Sequence, residues 1–304
     1  MVDDGGTGSG RASVLTGGWT ALPGERYALG EGGRLVLDAG GGTAVVMVDI
    51  PTGRLFTVEP RAELLRLDVP LGAVAPRADG PGWMAAAGTG IALLGADGVV
   101  EWLGRPEDGA RAPMRMNDGV ADPAGRFWAG SMATDESRGA GSLYRVDPDG
   151  SVHRVLDGLT VPNGPAFTPD GTTMYLAESA DGLVHRAAVD PVTGELGPLE
   201  LFAEVSGGNP DGMAVDVEGH LWSAVHGGGR VDRYAPDGTL VESLPVPARQ
   251  PTSVCLTAEA PYRVFVTSAA TGLDDPGPDD GAVLVAPTAV GGRPALPAAV
   301  GPRR

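Results

Sequence analysis

Four short stretches of the sequence carry side-chain oxygen atoms suited to binding a cation or a polar substrate. Glu31, Asn163 and Asp211 each stand directly before a glycine, and Asn117 is separated from Gly119 by Asp118. Carboxylate and amide oxygens are the ligands that hard cations such as Ca²⁺ and Mg²⁺ prefer. The four histidines and the single cysteine do not stand at ligand spacing, which excludes a structural zinc site of the Cys/His type.

These pairs also have a simpler interpretation. Asn-Gly and Asp-Gly are the commonest turn dipeptides, so each pair taken alone fits an ordinary turn. Their arrangement favours a site, because the stretches around Asn117, Asn163 and Asp211 are offset by one structural repeat each. His226 is a further candidate for the mouth of the same region, with an ordinary loop or core histidine as the alternative.

The elements that position these residues form a repeat. A turn rich in Asp, Pro or Gly precedes a short strand with a large apolar residue, and these markers are Met47, Trp83, Trp128, Tyr175, Trp222 and Phe265. Two or more hairpins fit between consecutive markers, which is the content of a four-stranded propeller blade. The sequence therefore predicts an all-β fold, a six-bladed β-propeller without helices. A solenoid is the alternative, but a closed ring removes the exposed edge that a solenoid leaves.

The repeats predict a single domain. We expect the propeller to span residues 13–298, with a disordered tail at 1–12 and a frayed tail at 299–304. The ring is expected to close by pairing of the run 281–286 with strands near the N-terminus.

Composition limits the partners of the protein. The formal net charge of −17 over 304 residues disfavours nucleic acid and anionic membranes, because both are themselves negatively charged. No apolar run approaches the length of a membrane-spanning helix, and the polar N-terminus does not resemble a secretory signal. Cys255 is the only cysteine, so no intrachain disulfide can form. A cytoplasmic monomer is expected.

The longest of the polar stretches resembles a known family. The run 115–132, RMNDGVADPAGRFWAGSM, is similar to the main signature of the gluconolactonase, regucalcin (senescence marker protein) and luciferin-regenerating enzyme family. The runs 141–144, 162–164, 169–171, 209–213 and 221–222 match in the same order. The resemblance covers most of the chain, from about residue 25 to residue 295.

The resemblance implies a six-bladed propeller with one divalent metal ion in its channel. Glu31, Asn163 and Asp211 are the implied metal ligands, and Arg115 and Asn117 are expected to face the substrate. Ca²⁺ is the expected ion, with Zn²⁺, Mg²⁺ and Mn²⁺ as alternatives. The implied reaction is hydrolysis of a sugar lactone, with Asp211 also acting as general base.

The chain departs from the family pattern in the first motif and at Glu178. The first motif reads Gly30-Glu31-Gly32-Gly33-Arg34 and lacks the usual proline and tryptophan, and Glu178 replaces an aspartate. Two other functions therefore stay open: a non-catalytic propeller that binds calcium or another ligand, and a propeller esterase or phosphoesterase.

Overall fold

Glycine- and proline-rich turns cut the chain into short apolar runs, which form β-strands rather than helices. The computed structural model describes residues 12–38, 40–96 and 98–301. The first twelve strands in chain order are β1 (Thr20–Ala21), β2 (Gly30–Leu37), β3 (Thr43–Asp49), β4 (Arg54–Thr57), β5 (Ala62–Arg66), β6 (Leu71–Pro76), β7 (Trp83–Ala87), β8 (Gly90–Leu94), β9 (Val100–Gly104), β10 (Met114–Ala121), β11 (Phe127–Ala133) and β12 (Gly141–Val146).

The second half of the chain continues the same pattern. Its strands are β13 (Val152–Leu159), β14 (Pro162–Phe167), β15 (Thr173–Glu178), β16 (Leu183–Ala188), β17 (Glu200–Glu204), β18 (Asn209–Val215), β19 (Leu221–His226), β20 (Arg230–Tyr234), β21 (Leu240–Pro245), β22 (Pro251–Leu256), β23 (Arg263–Ser268) and β24 (Leu284–Pro287). Two single 3₁₀ turns, Ile50–Thr52 and Ser179–Asp181, are the only helical segments among the described residues. None of the helical turns in that part of the chain is long enough to cross a membrane.

The strands form six antiparallel sheets of four strands each. Blades 1 to 5 are β2–β5, β6–β9, β10–β13, β14–β17 and β18–β21, and blade 6 is β22, β23, β24 and β1. The first strand of each blade contacts the first strand of the next, from β2 round to β22 and back to β2. The prediction of a six-bladed propeller is confirmed, and all six sequence markers lie on the second strand of a blade.

The N-terminal strand closes the ring. β1 pairs with β24 as the outermost strand of blade 6, with Thr20 opposite Val285 and Ala21 opposite Leu284. The predicted pairing of the run 281–286 with an N-terminal strand is thus confirmed. Since blade 6 combines the first strand of the chain with the last three, the ring has no sheet edge left open by an incomplete blade.

The domain limits stay a prediction, because residues 1–11 and 302–304 lie outside the described residues. At the other expected tail, the backbone nitrogens of Ala299 and Gly301 donate hydrogen bonds to Gly125 and Pro148, and Val300 is buried. The chain therefore contacts blade 3 as far as residue 301.

The same irregularity occurs in the innermost strand of every blade. The pairing between first and second strands shifts register at one place in each blade: Glu31/Arg34, Leu71/Ala73, Met116/Gly119, Asn163/Ala166, Pro210/Met213 and Pro251/Ser253. A bulge of this kind turns a side chain away from the regular alternation of the strand. The bulged segments contain Glu31, Asn117, Asn163 and Asp211, and we infer that the bulge positions these residues.

Buried tryptophans anchor the second strands of blades 3 and 5. Trp128 Nε1 donates to Asp122 Oδ2 at 3.0 Å, and Trp222 Nε1 donates to Asp216 Oδ2 at 2.9 Å. All four side chains are at most 1% exposed. Asp122 also accepts from Arg126 Nε at 2.7 Å. Each aspartate therefore joins the turn after the first strand to the second strand of the same blade.

We expect Asp122→Ala to lower the free energy of unfolding by about 3–5 kcal/mol, because it leaves a buried guanidinium and a buried indole N–H unpaired. Urea unfolding of the two proteins measures this difference. Asp149→Ala is the matched control, since Asp149 is exposed and bonds only Ser151. A loss as large in the control would show that Asp122 has no special structural role.

Candidate functional site in the channel

One cavity of about 270 Å³ brings together all five residues predicted from the sequence. Its lining includes Glu31, Arg115, Asn117, Asn163 and Asp211, which come from blades 1, 3, 4 and 5. Each of them lies in the first half of its innermost strand, so they meet at one end of the channel. A second, more apolar cavity lies where the later halves of these strands meet residues 292–296.

The other two blades contribute no acidic or amide group at the matching position. Gly72 is the bulge residue of blade 2, and a Cβ atom there would lie 2.3 Å from the backbone oxygen of Asn117. Thr252 is the corresponding residue of blade 6, and its hydroxyl is already hydrogen-bonded to Gly30 and Thr267. The candidate site is therefore asymmetric within a ring of similar blades.

A chain of hydrogen bonds orders the amide side chains. Arg115 Nη1 donates to Asn117 Oδ1 at 2.6 Å, and Asn117 Nδ2 donates to Asn163 Oδ1 at 2.7 Å. Asn163 Nδ2 in turn donates to Ser179 Oγ at 3.0 Å, and that hydroxyl donates to the carbonyl of Pro210 at 2.6 Å. The network links blades 3, 4 and 5, and it fixes the orientation of both asparagines.

Glycines beside the ligand candidates allow the inner strands to approach one another. Gly164 follows Asn163 with a φ of 50°, and a Cβ atom there would lie 2.6 Å from the backbone oxygen of Asp211. Gly32 follows Glu31 with a φ of 59°, and its N–H donates to Glu31 Oε2 at 2.6 Å. Both glycines are therefore needed for the backbone conformation at the bulges of β2 and β14.

Glu31 and Asp211 form a buried acidic pair. Their exposed fractions are 3% and 6%. Burial raises the pKa of Glu31 well above its usual value, and the charges of Asp211 and Asp118 raise it further. Burial is also the main cause of the raised pKa of Asp211. Two carboxyl groups so close in a low-dielectric site cannot both ionise cheaply without a nearby cation.

The donor set of the site fits a divalent metal ion. Asp211 Oδ1 is buried and has no hydrogen-bond partner in the part of the chain that the structure describes, which is costly for a carboxylate oxygen unless a cation or donor is close. Glu31, Asn163 and Asp211 together offer two carboxylates and one amide oxygen, all hard ligands. Their two negative charges would balance the charge of one divalent ion. The departures around Glu31 in the sequence do not remove Glu31 from this group.

A third carboxylate beside the pair is neutralised by an arginine. Asp118 is 1% exposed, and its Oδ1 accepts from Arg34 Nη2 at 2.9 Å. Its Oδ2 has no partner among the described residues. Arg34 stands in the first motif, close to the place where the family pattern has proline. No sequence motif predicted a role for Arg34 or Asp118.

Another group of potential metal ligands lies outside the channel, at the turn between β18 and β19. Ligand atoms of Asp216, Glu218 and His220 lie within 4.8 Å of one another. Arg233 Nη2, however, is 2.7 Å from both Asp216 Oδ2 and Glu218 Oε2, and Trp222 also donates to Asp216. The guanidinium already supplies the positive charge, and the arrangement matches the structural Asp122–Trp128 pair. We assign this group to the stability of blade 5.

Three further residues complete the rim of the cavity. His226, which the sequence offered as a candidate, lines the cavity, and so do Asn209 and Glu136. Asn209 pairs with His226 across β18 and β19. Glu136 lies in the loop after β11, where no local sequence motif marks it as a site residue. Only its position in the folded chain reveals it.

The channel site and the propeller agree with a known family. The family model described as 'SMP-30/Gluconolactonase/LRE-like region' matches residues 29–270 of the sequence. The chain therefore belongs to this family. The prediction of that family from the run 115–132 is confirmed.

Individual relatives show which proteins the chain is similar to. It is 38% identical over 228 residues to a 6-deoxy-6-sulfogluconolactonase of Pseudomonas putida, covering 72% of this chain and 77% of the relative. It is also 38% identical over 210 residues to a pentonolactonase of Haloferax volcanii, covering 63% and 72%. A crystal structure of a regucalcin from Agrobacterium tumefaciens, described as a calcium-binding protein, superposes with a TM-score of 0.83 at 30% identity, covering 91% and 96%.

The acidic pair predicts an unusual pH dependence of stability in metal-free protein. Above the unfolded-state pKa values of about 4, the unfolded chain releases protons that the folded chain retains on Glu31 and Asp211. The contribution of this pair to stability is therefore most favourable at acid pH, and it falls as the pH rises toward the raised folded-state pKa values. Asp211→Asn cannot ionise, so in EDTA the variant should be more stable than the parent at pH 8, by about 2 kcal/mol.

Urea unfolding in EDTA at pH 5 and pH 8 measures the effect, and the gain should shrink at pH 5. Glu195→Gln provides the control, because Glu195 is exposed on the surface and should change stability at neither pH. An Asp211→Asn variant that is equally destabilised at both pH values would contradict the interpretation.

Proposed function

We propose that this protein hydrolyses sugar lactones at the channel site with the help of one divalent metal ion. The observation that carries the proposal is that one cavity is lined both by Arg115 and by the buried carboxyl groups of Glu31 and Asp211. The same cavity thus contains the Arg115 guanidinium, two acidic candidate ligands, and a carboxylate oxygen, Asp211 Oδ1, that has no partner among the described residues. Membership of the family and the names of the two lactonase relatives support the same activity.

Glu31, Asn163 and Asp211 are the proposed metal ligands. A bound divalent ion would polarise the lactone carbonyl and lower the pKa of a water molecule. The regucalcin structure is described as calcium-binding, which supports Ca²⁺, while Zn²⁺, Mg²⁺ and Mn²⁺ stay as alternatives.

The residues of the chain supply binding and proton transfer. Arg115 donates hydrogen bonds to the lactone oxygen or to neighbouring hydroxyls, and Asn117 holds the guanidinium in place through its Oδ1. Asp211 accepts the proton of the attacking water. The water oxygen bonds to the carbonyl carbon, the ring C–O bond breaks, and the ring oxygen takes a proton to give the open hydroxy acid. General base catalysis of this kind contributes a factor of about 10²–10⁴ in rate.

A non-catalytic calcium-binding propeller is the second candidate. The regucalcin relative favours it, because that protein is described by calcium binding alone. Both candidate functions require the same metal ligands, so a hydrolysis assay distinguishes them and a metal-binding assay does not.

A cytoplasmic location and a monomeric state stay predictions.

The proposal predicts that gluconolactone or pentonolactones are hydrolysed by EDTA-treated protein after a single metal is returned. A pH-stat records the acid released above the spontaneous rate. Asp211→Ala should lower kcat by about 10²–10⁴. Saturable metal binding without hydrolysis of any lactone would favour the binding protein instead.

Titration calorimetry can show whether the metal binds in the channel or at the acidic group between β18 and β19. Glu31→Gln should weaken metal binding at least tenfold, because it removes a ligand charge from the channel. Glu218→Gln makes the same change in the cluster around Arg233 and should leave the affinity unaltered. The opposite result would place the metal at the turn between β18 and β19.

A further inference from the structure

The second, apolar cavity lies at the opposite end of the channel from the acidic pair. Its volume is about 270 Å³, close to the lower limit of about 300 Å³ for small-molecule pockets. The later halves of the innermost strands form its wall, to which Val120, Phe167 and Val215 each contribute a half-buried apolar side chain. A wall of this kind can take up the hydrocarbon part of a ligand, because it still has apolar surface to remove from water.

The apolar cavity is separate from the candidate metal site. The two cavities share no lining residue among those that the structure describes. Arg34 lines the apolar cavity, but its guanidinium is already paired: it donates to Asp118 Oδ1 at 2.9 Å and to the carbonyls of Gly33 and Gly119 at 3.0 and 3.3 Å. A ligand in this cavity therefore has to find its polar partner elsewhere in the lining.

The charge of the lining is opposite to the charge of the whole chain. The chain has 39 acidic and 22 basic residues, yet no aspartate or glutamate is among the described residues that line this cavity. The two charged residues of that lining are Arg34 and Arg293. Arg293 is exposed, and its side chain makes no ion pair or hydrogen bond within the described part of the chain. The cavity thus offers one free cation.

The mouth of the cavity is held in place by backbone hydrogen bonds. It is formed by the segment 292–296, in which the N–H of Gly292 donates to the carbonyl of Thr257 at 2.8 Å and the N–H of Ala295 donates to that of Leu35 at 2.6 Å. Leu296, at the end of the segment, is 41% exposed. The mouth therefore presents an apolar side chain and a free guanidinium without any rearrangement of the backbone.

We propose that the apolar cavity is a second ligand site, which binds a small amphipathic anion: a carboxylate with a short hydrocarbon chain. The hydrocarbon chain packs against the apolar wall, and the carboxylate pairs with the Arg293 guanidinium at the mouth. A sugar would leave the wall without apolar contacts, and an uncharged hydrocarbon would leave Arg293 unpaired. The inference does not depend on the proposed lactonase function, because the two sites use different residues.

Titration calorimetry with octanoate tests the site, using EDTA-treated protein so that no metal is available to the carboxylate. We expect saturable binding of one octanoate per chain. Butanoate should bind about tenfold more weakly or worse, because its shorter chain buries fewer methylene groups. 1-Octanol lacks the charge and should bind about fivefold more weakly. Octanoate binding that appears only after a metal is returned would place the carboxylate at the other end of the channel and overturn the inference.

Variants of the lining separate the contributions of charge and space. Arg293→Gln should weaken octanoate binding about fivefold and leave 1-octanol binding unchanged, because it removes only the cation at the mouth. Arg111→Gln is the matched control, since Arg111 is also exposed but lies outside the cavity lining. Ala214→Leu enlarges a half-buried side chain of the wall and should weaken both ligands about tenfold, because it fills space that the hydrocarbon chain needs.

Three results would overturn the inference: no saturable binding of octanoate, equal affinities of the parent for octanoate and 1-octanol, or an equal loss of octanoate affinity in both arginine variants. None of them bears on lactone hydrolysis, which is measured separately.

Discussion

Two carboxyl groups that are buried next to each other, Glu31 and Asp211, impose the main constraint on this structure. Each would be more stable in water, and each raises the cost of ionising the other. They belong to blades 1 and 5, which are far apart in sequence and meet only because the ring is closed. The ring therefore holds an unfavourable arrangement in place, as a site prepared for a cation requires.

The ring achieves this with one repeated distortion. A bulge in every innermost strand presents a residue at the same level of the channel, and the identity of that residue differs from blade to blade. Blades 2 and 6 place Gly72 and Thr252 there, while the others place acids and amides. A symmetric scaffold thus yields an asymmetric site without a change in strand geometry. The hydrogen bonds from Arg115 through Asn117 and Asn163 then align the side chains across three blades.

Stability comes from other parts of the blades. Asp122 and Asp216 are as buried as the channel acids, but each is paired with an arginine and with a tryptophan N–H. Aspartate therefore has a structural role at the turns, where arginine and tryptophan donors are available. In the channel, Asp211 keeps one oxygen without a partner among the described residues. β1 closes blade 6, and the chain beyond β24 hydrogen-bonds to blades 1, 2 and 3. These contacts offset the cost of the channel site.

The sequence by itself determined the number of blades, their all-β character and the run that closes the ring, because turn residues and short apolar runs are local signals. It also supplied the family motif that implied roles for Glu31, Asn163 and Asp211. Only the tertiary structure separated an Asp-Gly pair that lines the channel, such as Asp211, from one that forms a turn. It also decided that Glu136 faces the cavity and that Asp216 is paired with Arg233. These outcomes depend on which distant blades meet, and a local pattern carries no information about the partners that a side chain finds across the ring.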